Sequence, residues 1–349
     1  MGRFEKFMLF LNVLIILATI CSYLSPYISP VRFWQFSFFG LVYPWLLLSN
    51  VLFILYWFFL KKKWAWISVV CILLGWGHIG SFVGLSFSNN KSEGEIKVVS
   101  YNIHNFGEIY KTSKDKKVWE KSRQEVIDFL KQGEEIQIMC SQETSKYNTK
   151  WIKDKFNFPH HKRVKSVAIF SKYPIFNSGK IEISKSSNSC IFADLKIGEK
   201  KLRVYSLHLQ SNQVSTIADK VAKKGDPTQK ELYKDIRKMM SLFRFTARQR
   251  AEQAQKIANH IATCPHPVIV CGDFNDTPQS YTYHLIAKNL KDTFKEKGYG
   301  FGTTYAGNIP ALHIDHILVD KKIKVHSLEI LKGNYSDHYP VVSKISLPK

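Results

Sequence analysis

The stretch VVSYNIHNFG, residues 98–107, begins as a strand-forming run and then sets Asn102, His104 and Asn105 where the apolar pattern stops. A run apolar throughout belongs to a strand covered on both faces. Amides and imidazoles at the exit of such a strand are costly to bury unless they meet partners or a ligand. Similar runs occur at IKVVSY (96–101), IQIMCS (136–141), VAIFS (167–171), CIFADLKI (190–197), LRVYSLHL (202–209), PVIVCGDF (267–274), DHILVD (315–320) and PVVSKISL (340–347). Residues 116–132 and 229–262 carry apolar positions at helical spacing. Strands interleaved with amphipathic helices give an α/β pattern with sheets packed inside helices. SKSSNS (184–189) and AKKGDPTQK (222–230) read as loops, and no internal repeat is present.

Five further runs end as the first does: SQET with Glu143, SLHLQS with His208, GDFND with Asp273 and Asn275, HIDHIL with Asp315, and YSDHYPV with Asp337 and His338. Singly, Glu143 reads as a solvated strand-end acid, Asn102 as a turn residue bonded to its own backbone, and His208 as a satisfied core residue. Together they point to one site. Carboxylates, amides and imidazoles gathered in one place can supply oxygen ligands for a metal, a base for water and hydrogen-bond donors.

In this order the set resembles the endonuclease/exonuclease/phosphatase superfamily of metal-dependent phosphodiesterases, over essentially all of 95–349. SDH-x-P-V preceded by GDFN and an earlier Q-E carries the resemblance; each tetrapeptide alone would be weak. It implies a four-layer α/β/β/α sandwich of two packed mixed sheets. It makes Glu143 the principal metal ligand, with Asn102 and Asp337 near the same Mg²⁺ or Mn²⁺. His338 is implied as base for the attacking water or as charge stabiliser at the phosphate, with Asp315 orienting its imidazole. Asp273 is given nucleophile or leaving-group proton work, and Asn275 and His208 donate to phosphate. His313 and His316 stand where the family often has a basic residue and a Tyr, which suggests substrate contact rather than catalysis. His104 has no family role and reads as a surface imidazole. One of Arg244, Arg248 and Arg250 could clamp an anionic substrate, although basic residues on an amphipathic helix are usually solvated.

The first quarter of the chain differs in kind. Residues 1–90 carry only Arg3, Glu5, Lys6, Arg32 and Lys61 to Lys63 as charges, and contain apolar stretches at 7–25, 38–60 and 64–86. Each is near the ~20 residues that cross a ~30 Å hydrocarbon core, so three transmembrane helices are expected. A cleaved signal peptide is the alternative for the first, but no A-x-A-like site follows it. Basic residues at the N-terminus and at 61–63 put both inside, and an odd number of spans sends the remainder out, to the periplasmic side of an inner membrane. The division is an anchor at 1–88, a linker at 89–95 and a catalytic domain at 96–349.

Of the net charge of +22, the anchor holds +5 and the remainder +17, an excess that attracts nucleic acid or anionic head groups. The six cysteines lack a disulfide framework's spacing, although a Cys190–Cys264 bridge is conceivable. The preferred substrate is nucleic acid or a nucleotide. Asn102 should lie roughly 20 Å beyond the strand's membrane-side entry, so an upright domain faces its site away from lipid. The alternatives are a sphingomyelinase- or inositide-phosphatase-like hydrolase of lipid or inositol phosphates and, in another class, a non-catalytic tethered anion-binding protein. The intact acid, amide and imidazole set argues against the last.

Overall fold

Ile96 and Val98 point one way from the first buried strand and Val99 and Tyr101 the other, and each pair meets its own apolar layer. This two-sided covering is why all of Ile96–Asn102 is buried. The computed structural model describes residues 1–86, 96–107, 115–131, 135–183, 188–212, 229–307 and 309–348. The expected linker at 89–95 and most of the expected loops at 184–189 and 222–230 lie outside them.

The strands are β1 (Val83–Leu85), β2 (Ile96–Asn102), β3 (Ile138–Gln142), β4 (His160–Val164), β5 (Val167–Ser171), β6 (Ile175–Ile181) and β7 (Ser189–Ile197). They continue as β8 (Lys200–His208), β9 (Val268–Asp273), β10 (Leu290–Asp292), β11 (Tyr299–Phe301), β12 (Asp315–Asp320), β13 (Lys324–Ile330) and β14 (Val341–Ser346). One sheet runs β13-β14-β2-β3-β5-β4 and the other β10-β12-β9-β8-β7-β6. Both are mixed, with β2/β3 parallel in the first and β8/β9 parallel in the second. Ile96, Val98, Ile138 and Ile169 of one sheet and Ile191, Val204, Ile269 and Ile317 of the other form the core between them. Helices Lys116–Lys131 and Lys146–Lys155 cover the outer face of the first sheet. Helices Gln229–Ala262 and Tyr281–Ala287 cover that of the second, completing the expected four layers. All six cysteines are free thiols.

Ahead of this sandwich lie α1 (Arg3–Leu24), α2 (Pro30–Leu41), α3 (Tyr43–Phe59) and α4 (Ala65–Leu74). α1, α3 and α4 pack together with their polar side chains inward, the reverse of a water-soluble bundle. Asn12, Thr19, Asn50 and Ser68 are fully buried, while Phe7, Phe10, Leu14, Leu17, Leu52, Leu55 and Phe58 are exposed. Asn12 Nδ2 donates to Ser68 Oγ at 2.8 Å, Trp57 Nε1 to Asn12 Oδ1 at 3.0 Å and Asn50 Nδ2 to Thr19 Oγ1 at 2.9 Å.

The structure corrects the expected three full-length spans. Among the described residues only α1 is a single helix long and apolar enough to cross a membrane. The second stretch is bent by 52° between α2 and α3, with Pro44 in the first turn of α3. Pro fits that position because it lacks the N–H a helix interior needs. The third helix stops at Leu74, and Val83–Leu85, read as its end, instead pair as β1 with Tyr299–Phe301. An apolar run does not distinguish a strand from a helix, and an available edge decided it.

α2 lies against the sandwich. Phe38 and Trp34 meet the ring of Phe243 edge-on at 5.9 and 6.4 Å, and Leu41 joins Phe243, Ala247, Leu312 and Ile314 in one cluster. Gln279 Nε2 donates to Ser22 O at 2.9 Å and Thr277 Oγ1 to Gly40 O at 3.3 Å. A side chain at Gly40 would collide with the Gln279 carbonyl and the Ser25 hydroxyl.

Candidate active site

The register gathers the polar exits at one edge of the sandwich: Asn102 is level with Gln142, His208 with Asp273, and Asp315 with Asp273. Asn102 Nδ2 links the two sheets by donating to Glu143 Oε1 at 3.2 Å and Asp273 Oδ2 at 3.0 Å. Its Oδ1 accepts from the His104 backbone N–H at 3.0 Å. Glu143 (φ 49°) and Asn275 (φ 51°) turn out of their strands through the left-handed region, which is uncommon outside glycine and is found at functional sites. Gly272 (φ 150°) lets β9 pass β8, since a Cβ there would run into the Leu207 carbonyl.

His338 Nδ1 and Asp315 Oδ2 are 2.8 Å apart, leaving His338 Nε2 3.8 Å from Asp273 Oδ2. His208 Nε2 lies 3.7 Å from Asp273 Oδ2 and 3.8 Å from Glu143 Oε1. Burial by itself would pull the His338 imidazole down, but Asp315 and Asp273 outweigh it and hold its pKa at about 10. Burial would raise Asp337, yet His104, at 3.2 Å, and His338 bring its carboxyl down to about 2.

A cavity of about 350 Å³ opens on these groups, lined on its polar side by His104, Glu143, His208, Asp273, Asn275, Asp337 and His338. Asn102 and Asp315 are buried behind them. The structure therefore brings together every residue expected at the site. Four expectations change. His104 lines the cavity beside Asp337 and is not a remote surface imidazole. His313, in the segment ahead of β12, is buried against Phe294 with Nδ1 3.1 Å from Ser81 O, and His316, on β12, is buried against Phe274 and Tyr283, so both lie away from the cavity. None of the three arginines clamps the cavity: Arg250 is buried on Asp276 (3.1 Å) and Gln210 O (3.0 Å), Arg248 donates to Pro30 O, and Arg244 is exposed. Asn275 turns its amide to Leu209 O (3.1 Å) and Asp273 Oδ2 (3.2 Å), so those donors are engaged within the protein.

Two residue groups escaped sequence reading. Tyr305 packs edge-on against His338, with ring centroids 5.4 Å apart, and nothing in its loop sequence marks it. Phe38, Leu41, Val42 and Trp45 also line the cavity. Pro44, a helix start inside the apolar stretch, was the available signal for that bend.

The donor set suits a hard divalent cation, being mostly carboxylate and amide oxygen. Asp273, Asp315 and His338 hold ligand atoms within 4.8 Å of one another, but these are buried and already bonded. Glu143 and Asp337, each with a side chain 32% exposed, can admit an ion from solvent, with Asn102 behind them.

Solved structures from bacteria and from human share this fold. The endonuclease/exonuclease/phosphatase from Bacteroides vulgatus superposes with a TM-score of 0.53 at 19% identity, over 72% of this chain and 98% of that one. The human Nocturnin catalytic domain with bound sulfate gives 0.52 at 19% identity, over 72% and 94%. A mannosyl-6-phosphatase of Bacteroides thetaiotaomicron gives 0.50 at 17% identity, over 72% and 100%. No curated protein matches the chain. Residues 5–82 match a family described only as a domain of unknown function. Residues 99–338 match the endonuclease/exonuclease/phosphatase family, and the chain belongs to it.

Proposed function

We propose that the chain is a membrane-anchored, divalent-metal-dependent phosphoesterase that hydrolyses phosphate esters by attack of water. The observation that carries this reading is the meeting of the Asp315–His338 pair with Asp273 and Glu143 around one cavity. Glu143, Asn102 and Asp337 would hold Mg²⁺ or Mn²⁺, which when bound supplies charge neutralisation at the phosphoryl oxygens. Asp315 fixes the His338 ring through Nδ1 and leaves Nε2 to face a phosphoryl oxygen. His208 donates to the phosphate from beside Asp273 and Glu143, and Asn275 holds Asp273 in place. Asp273 takes the proton from water. The water oxygen bonds to phosphorus, the ester P–O bond breaks, and the proton ends on the departing oxygen.

The anchoring rests on the inside-out bundle of α1, α3 and α4. Lys62 lies 3.5 Å from Glu5, so the basic loop and the N-terminus share one end. That end is the cytoplasmic one, which puts the catalytic domain outside, on the periplasmic side of an inner membrane. In this reading α1 crosses the bilayer, and α3 and α4 pack beside it as a shorter hairpin. The charge of +17 beyond residue 90 attracts anionic substrates of either kind, nucleic acid and nucleotides or lipid head groups, and does not choose between them. The expectation that the site faces away from the anchor does not favour nucleic acid either, because α2 and α3 line the cavity.

The test is hydrolysis by the full chain in detergent of bis(p-nitrophenyl) phosphate, plasmid DNA, inositol phosphates and sphingomyelin, with and without EDTA. Turnover of at least one, lost with EDTA and restored by Mg²⁺ or Mn²⁺, is expected. Turnover of none would remove the phosphoesterase reading and leave an anion-binding role.

A further inference from the structure

The cavity has a second wall of opposite character. Phe38 and Leu41 from the end of α2, Val42 between the helices and Trp45 from the start of α3 line the same space as Asp273 and His338. Ile309 and Leu312 close it from the loop ahead of β12. One side thus offers carboxylates and imidazoles and the other only ring and hydrocarbon surface. The apolar wall is a fixed part of the fold, held by the Phe38–Phe243 contact, the Leu41 cluster and the bond from Thr277 to Gly40 O. Beyond Trp45 the apolar surface continues along α3 through Leu48, Leu52 and Leu55, which share its face and are exposed. No Lys or Arg lines the cavity among the described residues.

We infer that the substrate is an amphiphilic phosphoester drawn from the bilayer, its phosphate facing His338 and its hydrocarbon chain laid between Trp45 and Ile309. This names the substrate class of the phosphoesterase reading and rests on it. A sugar phosphate would leave the Trp45 wall facing water and a nucleobase would stack on a single ring of it, whereas a hydrocarbon chain covers the wall and extends along α3 into the lipid. The anchor is then half of the substrate site as well as a tether.

The test compares p-nitrophenyl hexadecyl phosphate with p-nitrophenyl ethyl phosphate, two diesters with the same leaving group, as substrates of the full chain in mixed micelles with Mg²⁺. Each buried methylene is worth roughly a factor of four, so kcat/KM should favour the hexadecyl ester by ~100-fold or more. Trp45→Ala and Ile309→Asn should each shrink that ratio by ~10-fold, because they remove apolar surface from the chain's path. Equal kcat/KM for the two esters overturns the inference and leaves the phosphoesterase reading standing. So does a ratio that both variants leave unchanged, since partition into micelles alone would produce it. Plasmid DNA cleaved faster than the hexadecyl ester has the same effect. Hydrolysis of neither ester overturns the inference, and the phosphoesterase reading falls with it only if bis(p-nitrophenyl) phosphate, plasmid DNA and inositol phosphates are left intact as well.

Discussion

At the scale of single residues, the site divides into groups that touch the substrate and groups that hold them. His338→Ala should lower turnover by ~10²-fold or more while the melting temperature in detergent stays near that of the parent, which a side-by-side rate and melt would show. A wild-type rate in that variant would remove its role. Asp292 tests the packing behind the site. It receives the Tyr283 hydroxyl at 2.6 Å and the Phe294 N–H at 2.7 Å and faces His316 at 3.6 Å. Burial would raise its carboxyl, but these groups and His313 bring it to about 2. A depressed acid stabilises fully above its unfolded value of about 4 and loses that contribution as pH falls toward 2. Between pH 5 and pH 3 the parent should therefore lose about 1 kcal/mol more stability than Asp292→Asn. Parallel losses in the two melts would contradict this.

At the scale of elements, what could be read in the sequence follows from which strands are covered on both faces. The eight inner strands, β2, β3, β5, β7, β8, β9, β12 and β14, stand out as apolar runs. The sheet-edge strands β4, β6, β10 and β13 do not, because an edge strand carries exposed and charged positions that break the pattern. The site was legible for the same reason: Glu143, Asp273 and Asp315 are polar residues where inner strands begin or end. The wall from α2 and α3 was not, since it depends on how Pro30–Leu41 docks on Phe243 rather than on any local pattern. Two substitutions test the elements. Gly272→Ala forces a side chain into the Leu207 carbonyl at φ 150° and should cost about 3 kcal/mol or prevent folding, measured by melting. Phe243→Ala removes a ring 2% exposed and should cost about 3–5 kcal/mol, with α2 becoming the first site of proteolysis. Unchanged protection of α2 would mean that its seat on the sandwich does not rest on that ring.

At the scale of the whole molecule, a bundle with its polar side chains inward meets a sandwich whose working edge faces that bundle. Lys62→Cys, in the loop shared with the N-terminus, should react with a membrane-impermeant maleimide only in inside-out vesicles. A reaction confined to right-side-out vesicles would reverse the orientation and the compartment of the catalytic domain. The central claim is that one ion site and one imidazole, assembled from six separate segments of the chain, form a single phosphoester centre. The most direct measurement is anomalous diffraction from crystals of the full chain soaked in Mn²⁺. One strong peak is expected inside the cavity, bound by Glu143 with His338 across from it. A cavity without Mn²⁺ at a concentration that supports turnover, or a peak bound away from Glu143, would contradict that claim.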